Sequence, residues 1–138
     1  MARLQLQHVT RRFDNGQEGL SDVSLSIESG SMVFLTGHSG AGKSTLLKML
    51  IGAETPTTGR VLVDGSDVSQ LGPKQMPWYR RQVGIVLQDH NLLEERTVFD
   101  NVALPLRITH LPAKDIARRV RGALSTVDLS DKGGLFPK

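Results

Sequence analysis

The sequence predicts a layered α/β domain, with an antiparallel β region ahead of a core in which apolar strands alternate with helices. Three observations carry that reading. Leu4, Leu6 and His8 alternate with Gln5 and Gln7, the period of a half-exposed strand. Met32-Val33-Phe34-Leu35-Thr36 is a continuous apolar run that enters a glycine-rich turn and then a strong helix former, Thr45-Leu46-Leu47-Lys48-Met49-Leu50-Ile51. Residues 112–127 place Ile116, Val120, Ala123, Leu124 and Val127 on one face at helical spacing.

Taken in order, residues 2–10 read as the first strand. Asp14-Asn15-Gly16 is a turn, which makes residues 3–27 an antiparallel region with Val23 to Ile27 as its next strand. Glu28-Ser29-Gly30-Ser31 turns the chain into the run at 32–36, expected to be a buried strand. The helix that follows stops at Gly52. Glu54 to Gly59 is a loop, Arg60 to Val63 a short strand, and Asp64-Gly65 another turn. A helical stretch around Pro77 to Gln82 leads to Val83-Gly84-Ile85-Val86-Leu87, expected to be a second buried strand. Residues 96–104 and 112–127 are expected to be helical. No internal repeat or low-complexity segment interrupts the pattern.

The turn at residues 37–45 carries the chemistry. It reads Gly-His-Ser-Gly-Ala-Gly-Lys-Ser-Thr, a complete phosphate-binding loop set between a strand and a helix, the context in which such a loop works. Gly37, Gly40 and Gly42 let the backbone wrap a polyphosphate closely. Amides from Gly40 through Ala41 to Thr45 then point inward, and the helix starting near Lys43 turns its positive dipole end to the anion. Lys43 supplies a mobile cation for β- and γ-phosphates. Ser44 offers a hydroxyl to Mg²⁺, and Thr45 is placed to reach an α-phosphate. His38 and Ser39 belong to the loop wall. His38 reads as a surface residue of the loop and not as a catalytic group.

Bulk properties narrow the classes. At 138 residues the chain can bury one real core, yet it is short for a complete ATPase built on such a loop. The formal charge of +3 is mild, and the basic pairs Arg11-Arg12, Arg80-Arg81 and Arg118-Arg119 lack the interleaved aromatics of a nucleic-acid groove. With no cysteine, disulfides and thiolate metal sites do not arise. The N-terminal residues have no apolar core like a secretion signal, and no run approaches a membrane span, so membrane contact is expected to pass through a partner.

With the loop in place, Phe13 at its spacing ahead of Gly37 and Gln88 at the end of the second apolar run make the chain resemble the ATP-binding subunits of ABC transporters. The resemblance extends through Thr58-Gly59, the short strand and Asp64-Gly65. It implies an ABC-type P-loop NTPase fold, with residues 1–30 as the antiparallel β region, 31–88 as the core, a partial parallel sheet with helices, and 89–138 as the start of the helical subdomain. It implies ATP and Mg²⁺ as cofactors, Phe13 as the ring that stacks on adenine, and Gln88 as a catalytic residue reaching Mg²⁺ and the attacking water. Asp89 would fix the loop backbone. Residues after Gln88, among them Leu92, Leu93, Val98 and Val102, would divide between core and a docking surface for an integral membrane subunit. The resemblance further implies a head-to-tail homodimer of the full-length protein, peripheral on the cytoplasmic face of a bacterial inner membrane.

Finer spelling, Leu35 to Lys48 with His38 in the loop, Arg80 to His90, and Asp100-Asn101-Val102-Ala103 before Pro105-Leu106, resembles the cell-division branch of that family. Sister branches serving lipoprotein release or macrolide export share the Asn-Val and Pro-Leu elements and seldom the His38 spelling.

The resemblance stops near Leu135-Phe136-Pro137, where a Leu-Ser-Gly-Gly-Gln signature should follow. Neither that signature nor an apolar strand ending in Asp-Glu occurs, and His90 and His110 have the wrong context for the switch histidine. The expectation is an N-terminal portion of the domain that binds ATP and turns it over weakly or not at all alone, since phosphoryl transfer needs charge stabilisation from both sides of the phosphate. Two other readings stay open. One is a nucleotide-binding module without catalysis. The other is a small phosphate-transferring kinase, against which the antiparallel region, Phe13 and Gln88 all speak.

Overall fold

The computed structural model describes residues 3–86, 88 and 91–137, and these fall into two compact units, residues 1–85 and 86–138. In the first, strands β1 (Leu4–Arg12), β2 (Glu18–Ile27), β3 (Thr58–Val63) and β4 (Ser66–Asp67) form an antiparallel sheet of order β2-β1-β3-β4. Helix α1 (Lys43–Leu50) packs Leu46 and Met49 into the same core as Leu6, Val9, Leu20, Val61 and Val68. A 3-10 turn, Val68–Gln70, and helix α2 (Met76–Arg80) complete the unit. Met76 and Tyr79 pack against the core from α2, and burial pushes the Tyr79 phenol up, so its hydroxyl stays protonated.

The first strand departs from simple alternation. Leu6 and Val9 are buried, while Gln7 and His8 between them are exposed. The pairing with β2 shifts register between Leu6 and Val9, and the pairing with β3 shifts between Gln7 and Thr10. This is a bulge: an extra residue re-aims the side chains that follow. His8 at φ 50 and Asp22 at φ 46 sit in it, joined by a 2.8 Å contact from Nδ1 to Oδ1. Gly59 makes the bulge possible on the β3 side. Its φ is +84, and a methyl group there would lie 2.2 Å from the His8 carbonyl oxygen.

Both apolar runs expected as buried strands are corrected. Residues 31–38 and 83–86 carry no strand structure, and Leu87 lies outside the described residues. Met32 is 82% and Phe34 79% exposed, and Val86 is 96% exposed. A strand is stabilised by its ladder and by the layers that cover it. Among the described residues neither run has a laddered neighbour, so the apolar pattern alone does not make a strand.

In the second unit, α3 (Val98–Ile108) and α4 (Ala113–Thr126) pair through Ala103, Ile116, Val120 and Leu124, bordered by Val98, Phe99, Val102, Leu106 and Leu111. The expected face of α4 holds at Ile116, Val120 and Leu124, but Ala123 and Val127 are exposed. Thr97 caps α3 by accepting from the Asp100 amide at 3.1 Å. Arg107, by a 2.6 Å hydrogen bond, and then the Thr97 hydroxyl hold the Asp100 carboxyl below its usual range. That preference for the ionised form is present above the ordinary carboxylate range and fades as pH falls through the lowered value.

Candidate nucleotide site

The loop between β2 and α1 is built from its backbone outward. Gly42 ends it as the N-cap of α1 at φ 88, a left-handed conformation that a side chain disfavours, and it is buried. A methyl group at Gly42 would lie 2.1 Å from the Gly19 carbonyl oxygen and 2.7 Å from Leu20 Cδ2, so the helix starts hard against β2. Gly42, the N-cap, offers α1 no side-chain cap, and the first turn of the helix has no acidic residue. The first amides of a helix lack intrahelical acceptors, so this end has donors and a positive dipole to offer an anion.

Lys43 crosses the loop. Its ammonium donates to the carbonyl oxygens of Gly37 at 2.6 Å and His38 at 2.7 Å, fastening the loop's beginning to its end. The Ala41 amide donates to the His38 carbonyl at 3.2 Å, and His38 Nδ1 lies 2.7 Å from the Ser39 carbonyl oxygen. Residues 37–41 and Ser44 are exposed, and Thr45 is half-buried. The lysine is thus already oriented across the turn, its ammonium held on the carbonyls of Gly37 and His38.

Phe13 is half-buried just beyond β1. The Arg11 guanidinium lies 4.9 Å from its ring centroid and is itself paired with Glu54 at 2.9 Å. Arg11 Nε is buried and finds no hydrogen-bond partner among the described residues, so the ring is what it packs on. Phe13 and Thr45 converge on Gly19: a methyl group there would lie 2.7 Å from Phe13 Cε2 and 3.3 Å from Thr45 Cγ2. The structure therefore brings the aromatic side chain to the end of the phosphate loop.

Gly19 was not among the residues singled out from sequence. Its signal is a glycine inside a strand, which marks close approach of another group. Gly19→Ala should displace the Phe13 ring and cost about 1–3 kcal/mol by overpacking, read as a lower urea midpoint with an unchanged m-value.

Gln88 is exposed and belongs to the second unit. Asp89 and His90 lie outside the described residues. Leu92 and Leu93 are about half exposed, whereas Val98 and Val102 pack against the core of their unit. Among the described residues no group of three or more His, Asp or Glu side chains could hold a metal ion. A divalent ion here would rely on hydroxyl, phosphate and water oxygens, as Mg²⁺ commonly does.

Comparison with known proteins identifies the family. Residues 20–136 match the family model described as ABC transporter. Over 134 residues the chain is 46% identical to the cell division ATP-binding protein FtsE of Escherichia coli, covering 97% of this chain and 60% of that protein. It is 48% identical over 134 residues to the methionine import ATP-binding protein MetN of Cutibacterium acnes, covering 95% of this chain and 37% of that one. A solved structure of the ATP-binding cassette MJ0796, a dimer in a post-hydrolysis state bound to ADP and Pi, aligns with a TM-score of 0.88 at 29% identity, over 97% of this chain and 61% of that chain.

Fold, loop and relatives define a P-loop nucleotide-binding domain in part. The chain spans about 60% of the length of the FtsE relatives it matches. It belongs to the ABC transporter family, as part of an ATP-binding domain.

Proposed function

We propose that this chain supplies the triphosphate-binding half of an ATP-driven subunit that works with a membrane partner in bacterial cell division. The observation that carries this reading is the loop at 37–45, with Lys43 drawn across it and α1 starting at Gly42 without a side-chain cap. In it, the amides of Gly40 to Thr45 and the Lys43 ammonium bind the β- and γ-phosphates, and Thr45 serves the α-phosphate. Phe13, stiffened by Arg11, stacks on adenine. Mg²⁺ would take the Ser44 hydroxyl as a ligand, with Gln88 as its other protein ligand by family resemblance, and would neutralise phosphate charge. Gln88 also orients the attacking water in a complete dimer.

The cell-division assignment draws on the likeness to FtsE and on the loop spelling with His38. The partner is then an integral membrane subunit resembling FtsX, docked through residues after Gln88, where Leu92 and Leu93 present apolar surface. The exposed run Met32 to Leu35 supports a further layer of the domain packed over those residues. A methionine-import role is the second reading, favoured by the comparable identity to MetN.

Co-purification separates the two. The full-length protein, tagged in its native host, should retain an FtsX-like membrane subunit, and Leu92→Asp with Leu93→Asp should release it. Retention of a methionine-permease subunit instead would overturn the cell-division reading.

A further inference from the structure

The far end of the phosphate helix is held by two adjacent side chains of α2. The Tyr79 hydroxyl donates to the Leu50 carbonyl. Arg80 donates from Nε to the Ile51 carbonyl at 2.9 Å and from Nη2 to the Gly52 carbonyl at 2.8 Å. Leu50, Ile51 and Gly52 are the residues where α1 ends, so these are carbonyls with no amide of a following turn to accept from. The arginine also sets a positive charge at the negative end of the helix dipole. Met76 closes the contact: a methyl group at Gly52 would lie 2.5 Å from its sulfur.

The near end of α1 is fixed differently, by the abutment of Gly42 on the Gly19 carbonyl. Eight residues of helix span about 12 Å, so α1 is a short rod pinned at both ends. If the far end is released, the rod pivots on Gly42. The amides of Lys43, Ser44 and Thr45 lie next to that pivot and change direction with it. Misdirection of such donors is costly because hydrogen bonds to a charged acceptor weaken steeply with angle.

We propose that Tyr79 and Arg80 are positioning residues for the phosphate site, acting through α1 and without touching the ligand. This rests on the reading of the loop as a triphosphate site. Arg80 matters more, because it provides two of the three donors and the charge.

The test is calorimetric titration with Mg²⁺-ATP and, separately, with Mg²⁺-tripolyphosphate, on the wild-type chain, Arg80→Ala, Arg80→Lys and Tyr79→Phe. Arg80→Ala should weaken both ligands by the same factor, about tenfold, because the defect lies at the phosphate end. Arg80→Lys, which keeps the charge and one donor, should recover part of the loss. Tyr79→Phe should weaken both ligands a few-fold. A purely structural role would lower the melting temperature and leave Kd unchanged in the folded fraction, and that result overturns the proposal. If Arg80→Ala does not fold, wild-type Kd values in both Tyr79→Phe and Arg80→Lys overturn it equally. Absence of ATP and tripolyphosphate binding by a folded wild-type chain would instead sink the triphosphate reading itself, and the proposal with it.

Discussion

Lys43→Ala should reduce affinity for Mg²⁺-ATP by about 100-fold, since it removes a cation and charge-assisted donors from a site built around phosphate. The same change should cost the fold no more than about 1 kcal/mol, because among the described residues the lysine ammonium bonds only to the carbonyls of Gly37 and His38, in an exposed loop. Equilibrium dialysis with labelled nucleotide measures the first quantity and urea unfolding the second. A variant that unfolds early and binds normally when folded would reverse the assignment: Lys43 would be a loop staple and not a phosphate ligand. Lys43→Arg should also bind poorly, because the planar guanidinium cannot place one compact charge where the two carbonyls hold the ammonium.

Gly42→Ala should do the reverse, failing in the fold before it fails in the site. The residue combines φ 88 with a would-be methyl contact of 2.1 Å to a backbone oxygen of β2. The left-handed conformation costs of order 1–3 kcal/mol and the forced separation of α1 from β2 about as much again. Gly16→Ala is the control. Its φ is +80, yet nothing lies within 4 Å of a methyl group there, so it carries only the conformational cost. The difference in urea unfolding free energy between the two variants isolates the clash. Equal losses would mean that α1 does not sit hard against β2 and that the pivot at Gly42 is wrong.

How much of this was legible beforehand follows from the range of the interactions. The helix after the loop, the turn at Asp14 to Gly16, the short strand before Asp64 and the paired helices α3 and α4 all follow from local signals, and the structure places them within a few residues. The Thr97 cap on the Asp100 amide, which the sequence reading did not single out, is equally local, written within one turn. The likeness to the ABC transporter family was legible too, because the phosphate loop spells its function in contiguous residues, and the comparisons bear it out.

What escaped depends on residues far apart in sequence. The bulge that buries Val9 and turns His8 outward comes from register against β2 and β3, which alternation along β1 cannot reveal. The approach of Phe13 and Thr45 to Gly19 links three segments. The grip of Tyr79 and Arg80 on the end of α1 spans almost thirty residues of chain, |i−j| being 29 for Tyr79 to Leu50. The runs at 32–36 and 83–87 misled for the opposite reason. Their composition reports what would suit a covered sheet, and a strand forms only where a ladder exists to receive it.

Calorimetric titration of the folded wild-type chain with Mg²⁺-ATP tests the central claim most directly. Saturable one-to-one binding, competed by tripolyphosphate, is the predicted result. A well-folded chain that takes up neither ATP nor tripolyphosphate would contradict it, and would mean that the loop at 37–45 does not by itself make a phosphate site.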